Sequence, residues 1–208
     1  MCSQTNVNLG FTNEGFPPGT HMCLIYSNED ERRNVISQFL NSGLSENERV
    51  GYFADEMSPE EVRTWLATMN LKLPDQEKNG QFLCSKAVDT YCPSGTFEPD
   101  DMIHTLKTSY TDARDDGYPG LRVSGEMSWA LKGVPGSNRL MEYEAKVNIA
   151  FETHPVVAIC QYDARKFDGS TILDVLRVHP MMVVQGRVVH NPYFVDPRTF
   201  LASLTQAS

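Results

Sequence analysis

After a lead-in rich in glycine and proline that ends in Pro-Pro-Gly-Thr, short β-rich runs alternate with longer stretches whose apolar residues recur at helical spacing. Met22–Tyr26 reads as a first strand, and Glu31–Leu44 as a helix carrying Val35, Ile36, Phe39 and Leu40 on one stripe. Arg49–Ala54 is a second strand. Ser58-Pro59-Glu60-Glu61 supplies an N-cap, a proline at the first helical position and acids that complement the helix dipole, so Pro59–Met69 is predicted helical. Gln81–Lys86 is a third strand; turn-rich TYCPSGTFEPDD then leads into a helix over 100–115. Leu121–Met127 is a fourth strand, and Arg139–Glu152 a helix stopped by His154-Pro155. Val156–Tyr162 is a fifth strand, almost wholly apolar as in parallel sheets covered on both faces. Asp168–Arg177 is a short helix. Met181–Val184 and Arg187–His190, around Gln185-Gly186, form a closing hairpin.

Strands separated by helices give an α/β three-layer sandwich with a mostly parallel central sheet. The 208 residues suit one domain with one substantial core. The expected boundaries are a lead-in over 1–17, the domain over 18–200 and a tail over 201–208. An apolar fraction of 40% and a charged fraction of 22% fit a folded chain.

The net charge of −9 repels phosphate backbones and anionic lipid, which argues against direct binding to nucleic acid or membrane. The first residues have no basic start or apolar run, and no stretch approaches the roughly 18 apolar residues of a membrane span; a cytoplasmic location is expected. Cys2, Cys23, Cys84, Cys92 and Cys160 are odd in number and contain no C-x-x-C pair, unlike a disulfide framework or zinc ribbon. Cys23 and Cys160 sit in apolar runs, where a thiol acts as a small hydrophobe.

Several separated segments carry a family likeness: GTHMCLIY, GLSENERVGYFADE, TYCPSGTFEPDDM, GYPGLRVSGEMSWAL, YEAKVN, CQYDARKF and RVHPMMVVQGRVVHNPYF. In this order they resemble the MEDS domain, named for methanogen and methylotroph proteins and the regulator DcmR, from residue 18 to about residue 197. The resemblance implies a RecA-like fold related to the KaiC group and a sensory role in transcriptional or two-component-type signalling. It further implies one-carbon or hydrocarbon-derived ligands and a regulatory protein partner. With little sequence beyond the domain, output is expected to pass through a separate partner, or the chain is a stand-alone relay; the alternatives are a protein-interaction module without ligand and a degenerate nucleotide-binding protein. A homodimer is compatible with this reading.

In a RecA-like fold, the loop after the first strand is where a nucleotide-binding relative carries G-x-x-x-x-G-K-[ST]. Here the loop is SNEDERRN, with no glycine and three consecutive acids, so ATP hydrolysis is not expected. Arg32 and Arg33 are expected to pair with those acids. Ligands of open parallel sheets bind beyond the carboxyl ends of the strands, which selects Tyr26, Asp55, Glu56, Glu126, Trp129, Gln161, Tyr162 and Asp163 as one converging edge. Trp129 and Tyr162 could wall a small ligand that Glu126 orients. The alternatives are an ion pair of Glu126 with Arg122 or Arg165, and a core Trp129 whose indole N–H meets a backbone acceptor.

His21 precedes the first strand and is expected at the opposite, amino edge, though it stays on the ligand shortlist. His179 and His190 flank the hairpin, near enough to approach His21 or Cys23, but no pair has metal-ligand spacing. No metal or cofactor is therefore assigned, with a His/Cys metal or haem site left as the alternative. Glu142 and Glu144 are two apart on a helix and face different ways, which argues against paired acid/base carboxylates; Glu142 is expected to pair with Lys146. No serine elbow or cysteine signature suggests a nucleophile, and no enzymatic activity is expected.

Overall fold

A computed structural model describes residues 6–73 and 80–206; Cys2 lies outside them. Seven strands form the main sheet. They are β3 (His21–Tyr26), β4 (Arg49–Ala54), β5 (Phe82–Lys86), β6 (Leu121–Glu126), β7 (Val157–Asp163), β8 (Met181–Val184) and β9 (Arg187–His190), in the order β5-β4-β6-β7-β3-β8-β9. All neighbours are parallel except β8 and β9, the antiparallel hairpin. Gln185 and Gly186 take positive φ at its turn, as a two-residue loop with right-handed twist requires. The lead-in folds into a two-stranded ribbon, β1 (Val7–Asn8) and β2 (Gly15–Phe16), whose Val7, Leu9 and Phe16 enter the core.

Alternation along the strands divides the core in two. One face carries α1 (Glu29–Ser45) and α2 (Pro59–Thr68), where Val35, Ile36, Phe39, Leu40, Trp65 and Leu66 cover Met22, Leu24, Tyr52 and Ile159. The other face carries α3 (Ala87–Tyr91), α4 (Pro99–Asp115), α5 (Leu140–Phe151) and α6 (Gly169–Val178) over Cys23, Val123, Ala158, Cys160 and Tyr162. A last helix, α7 (Pro197–Gln206), seats Phe200 against Ala145 and Val178.

The helix starts follow local chemistry. Asn28 caps α1 through its side-chain oxygen, which accepts from the Asp30 and Glu31 amides. Ser58 and Glu61 close a capping box on α2. The fourth strand ends at Glu126, one residue before the pattern predicts, because Met127–Leu131 turns into a 3-10 helix. Among the described residues no helix is long and apolar enough to cross a membrane.

Candidate functional site

The strand-end shortlist does not form one edge pocket. Its side chains alternate across the sheet, so Tyr26, Glu126, Gln161 and Asp163 face α1 while Trp129 and Tyr162 lie in the opposite core. All six, and His21, are buried. The expectation of a shared wall of Trp129, Tyr162 and Glu126 is corrected by the period of two along each strand.

On the α1 face the centre is Arg32, which occupies the first turn of the helix after β3. Its Nη1 donates to Tyr52 Oη at 3.0 Å, Gln161 Oε1 at 3.0 Å and Glu126 Oε1 at 3.2 Å, while Nε and Nη2 reach Glu29. The guanidinium lies 5.4 Å from the Tyr26 ring centre and 5.6 Å from that of Trp65. Burial works against the charge on Arg32, but Tyr52, Glu29 and Glu126 hold it more firmly protonated than usual. Glu126 accepts besides from Tyr52 Oη at 2.5 Å and from the amides of Asp55 and Glu56 at 2.7 and 2.9 Å.

A carboxylate has about four acceptor positions, and Glu126 meets four donors. It fills the amide nest after β4, and its four acceptor positions are taken by groups of the chain itself. The alternative pairing of Glu126 with Arg122 or Arg165 does not occur, because both are engaged elsewhere. Arg122 is buried against Glu48 Oε2 at 2.6 Å, and Arg165 grips Asp163 at 2.7 Å. Arg32 and Arg33 pair with Glu29 as expected.

Trp129 is a core residue. It stacks on Tyr91 with ring centres 5.0 Å apart, and Gly125 makes room for this arrangement, since a Cβ there would lie 2.4 Å from Tyr91 Oη. Its indole N–H finds no partner among the described residues, contrary to the expected backbone acceptor.

The opposite face holds a second polar cluster that no spacing in the chain announces. His21 (β3), Glu144 (α5), Cys160 (β7) and His179 (the C-cap of α6) are all buried, with one donor atom of each within 4.8 Å of the others. Glu144 Oε2 lies 3.2 Å from His21 Nε2, 3.5 Å from His179 Nε2 and 3.4 Å from Cys160 Sγ; Cys160 Sγ is 3.5 Å from His21 Nε2. Tyr162 donates to Glu144 Oε1 at 2.5 Å. Burial, then the neighbouring His179, lower the pKa of His21. Burial, then Glu144, push the Cys160 thiol and the Tyr162 phenol well up. His21 does sit at the amino end of its strand, as expected, and shares nothing with Glu126. Glu142 points elsewhere, to Lys146 at 2.8 Å and Arg139.

The other described thiols are inert by the same physics: burial takes Cys23 and Cys84 up to about 12 and Cys92 to about 11, so none is a thiolate nucleophile near neutrality. A cavity of about 480 Å³ opens between α4 and the β5-β4 side of the sheet. Phe53, Phe82, Leu83, Met102, Leu106 and Val123 make its wall mainly apolar, and Arg49, Ser85, Thr90, Thr105, Ser109 and Asp112 are its polar groups.

Comparison with known proteins agrees with this architecture. Three solved structures share the fold: a KaiC-like protein from Pyrococcus horikoshii OT3 (TM-score 0.59, 16% identity, 86% of this chain and 79% of that one), the flagellar accessory protein FlaH from Methanocaldococcus jannaschii (0.62, 11%, 88% and 83%), and an uncharacterized Pyrococcus horikoshii protein in complex with an unknown peptide (0.60, 14%, 79% and 76%). The fold is thus the RecA-like sandwich of KaiC-like proteins. The transcriptional repressor DcmR of Methylorubrum extorquens (strain DSM 6343 / CIP 106787 / DM4) is 26% identical over 160 residues, which span 76% of this chain and 57% of the repressor. The model of the MEthanogen/methylotroph, DcmR Sensory domain matches residues 20–180. The chain therefore belongs to the MEDS family of sensory domains.

Proposed function

We propose that this chain is a non-catalytic sensor or relay whose small-molecule ligand occupies the cavity between α4 and the β4–β5 edge. The observation that carries the reading is the cavity itself, mainly apolar with a minority of polar groups in its lining, the composition expected of a small-ligand site. It suits a one-carbon or hydrocarbon-derived compound better than a nucleotide. Lack of catalysis is supported by a saturated Glu126, by the raised thiols and by the acids Glu29, Asp30 and Glu31 in the first turn of α1. A regulatory protein then carries the signal, in keeping with the DcmR likeness.

The test is a thermal-shift screen of the whole chain with one-carbon and short hydrocarbon-derived compounds, dichloromethane among them. At least one should raise the melting temperature, because binding to the native state stabilises it by mass action. Ser109→Trp, which fills the cavity from a partly exposed position of α4, should abolish that rise while leaving the ligand-free melting temperature nearly unchanged. A blank screen, or a rise that persists in Ser109→Trp, overturns the cavity as the sensing site.

A further inference from the structure

The His21–Glu144–Cys160–His179 cluster gathers more acceptors than donors: the Cys160 thiol donates to Glu144 Oε2 at 3.4 Å, and His179 Nε2 is left without a partner. Asn148 Nδ2 donates to the carbonyls of Glu144 at 3.0 Å and Val178 at 2.8 Å, which fixes the amide so that its Oδ1 faces His21 Nδ1 at 3.1 Å. His21 Nδ1 must therefore carry the proton. His179 Nδ1 lies 2.8 Å from the Val175 carbonyl, which only accepts, so it too is protonated. With the ring proton on Nδ1, each Nε2 presents its lone pair to the same carboxylate oxygen, which also accepts from the Cys160 thiol at 3.4 Å. His179 Nε2 is buried with no hydrogen-bond partner. Lone pairs from two imidazoles, one carboxylate and one sulfur converging in a dry interior are what a cation requires.

The spacing agrees with a particular coordination. Bonds of about 2.0–2.2 Å to nitrogen or oxygen and about 2.3 Å to sulfur, arranged tetrahedrally, separate N and O donors by about 3.3 Å and place sulfur about 3.5 Å from either. Four of the six separations match: 3.2 and 3.5 Å between Glu144 Oε2 and the two imidazole nitrogens, 3.4 Å between Cys160 Sγ and Glu144 Oε2, and 3.5 Å between Cys160 Sγ and His21 Nε2. The two that join His179 Nε2 to His21 Nε2 and Cys160 Sγ lie within 4.8 Å, so His179 closes in by a small side-chain shift on binding. Outer partners are also in place: Asn148 and the Val175 carbonyl orient the two imidazoles, and Tyr162 holds the second carboxylate oxygen.

We propose that these four side chains bind one zinc-class divalent cation in a closed tetrahedral site of two imidazole nitrogens, one carboxylate oxygen and one thiolate. On binding, the Cys160 thiol loses its proton to solvent, and the two negative ligands neutralise the dication. With four protein ligands and no exposed position, the site joins β3, α5, β7 and α6 and leaves no open position for activating water. The assignment is independent of the ligand cavity.

The experiment uses the full chain, stripped with chelator and titrated with Zn²⁺, and in parallel with Co²⁺ as a spectroscopic substitute. One metal per chain is expected by elemental mass spectrometry. Co²⁺ should show intense tetrahedral d–d absorption together with a thiolate-to-metal charge-transfer band. Cys160→Ala should lose the charge-transfer band, Asn148→Ala should weaken affinity roughly 10–100-fold, and His190→Ala, on the exposed face of β9, should change nothing. Wild-type protein that takes up no metal overturns the site. So does Co²⁺ binding without a thiolate band, a result read on wild type alone and so independent of whether any ligand variant folds.

Discussion

On the α1 face, Glu126 meets a guanidinium, a phenol and two backbone amides, and every acceptor position is used. Behind the same strands, Glu144 meets one phenol, one thiol and two histidines whose ring protons are placed on Nδ1 by Asn148 and Val175, so its Oε2 has the Cys160 thiol as donor and two imidazole lone pairs beside it. The first cluster is closed by the chain's own cation, Arg32, standing in the first turn of α1. The second is shaped for a cation from outside. Interior charge costs several kcal/mol per ion unless it is paired, and the two faces answer that cost by different means.

The largest expected effect breaks the closed side. Arg32→Met leaves Glu126 buried without its counter-charge and should cost about 3–5 kcal/mol of unfolding free energy, read from urea midpoints. The double variant Arg32→Met/Glu126→Leu should recover most of that loss. A single-variant cost below about 1 kcal/mol would show that water reaches Glu126 and that the network is open.

A smaller effect sharpens the separation of the faces. Tyr162→Phe takes the donor from Glu144 Oε1 and should cost about 1–3 kcal/mol. Combined with Arg32→Met, its effect should add within about 0.5 kcal/mol, since the two networks share no partner. Coupling well above that value would mean that the clusters communicate through β7.

The smallest effect concerns Glu142, the neighbour of Glu144 that faces outward. Arg139, despite some opposing burial, and then Lys146 lower its pKa from 4.5 to about 2. A depressed carboxylate pKa stabilises the fold fully above the unfolded value and ceases to do so as pH falls from about 4.5 through about 2. The pair is partly solvated, so Glu142→Gln should cost only about 0.5 kcal/mol at pH 7 and nothing near pH 2, measured by urea unfolding at both.

Much of the fold was legible because each strand and helix declares its period locally. The Val156–Tyr162 run, the capping box at Ser58 and the Gln185-Gly186 turn all stand in the structure near their predicted places. The ribbon β1–β2 was not foreseen, since strands of two residues have no period to read. Nor was the partner of Glu126: Arg32 looks like a surface residue among acids until β4, β6 and β7 are set side by side. The His21–Glu144–Cys160–His179 cluster is less legible still. Its members come from four elements, and their meeting depends on β7 pairing with β3 and on α5 crossing the sheet.

Cys160 and Gln161 are consecutive on β7, and each belongs to a different cluster. If β7 were displaced by one residue during folding, Gln161 would turn toward the histidines and Cys160 toward Arg32, leaving both Glu126 and Glu144 mispartnered at once. An apolar strand such as Val-Ala-Ile would tolerate that slip with little loss, because its two faces are nearly interchangeable. The adjacent pair thus acts as a frame marker for the central strand, making the misaligned sheet several kcal/mol worse than the native one whether or not any ligand is present.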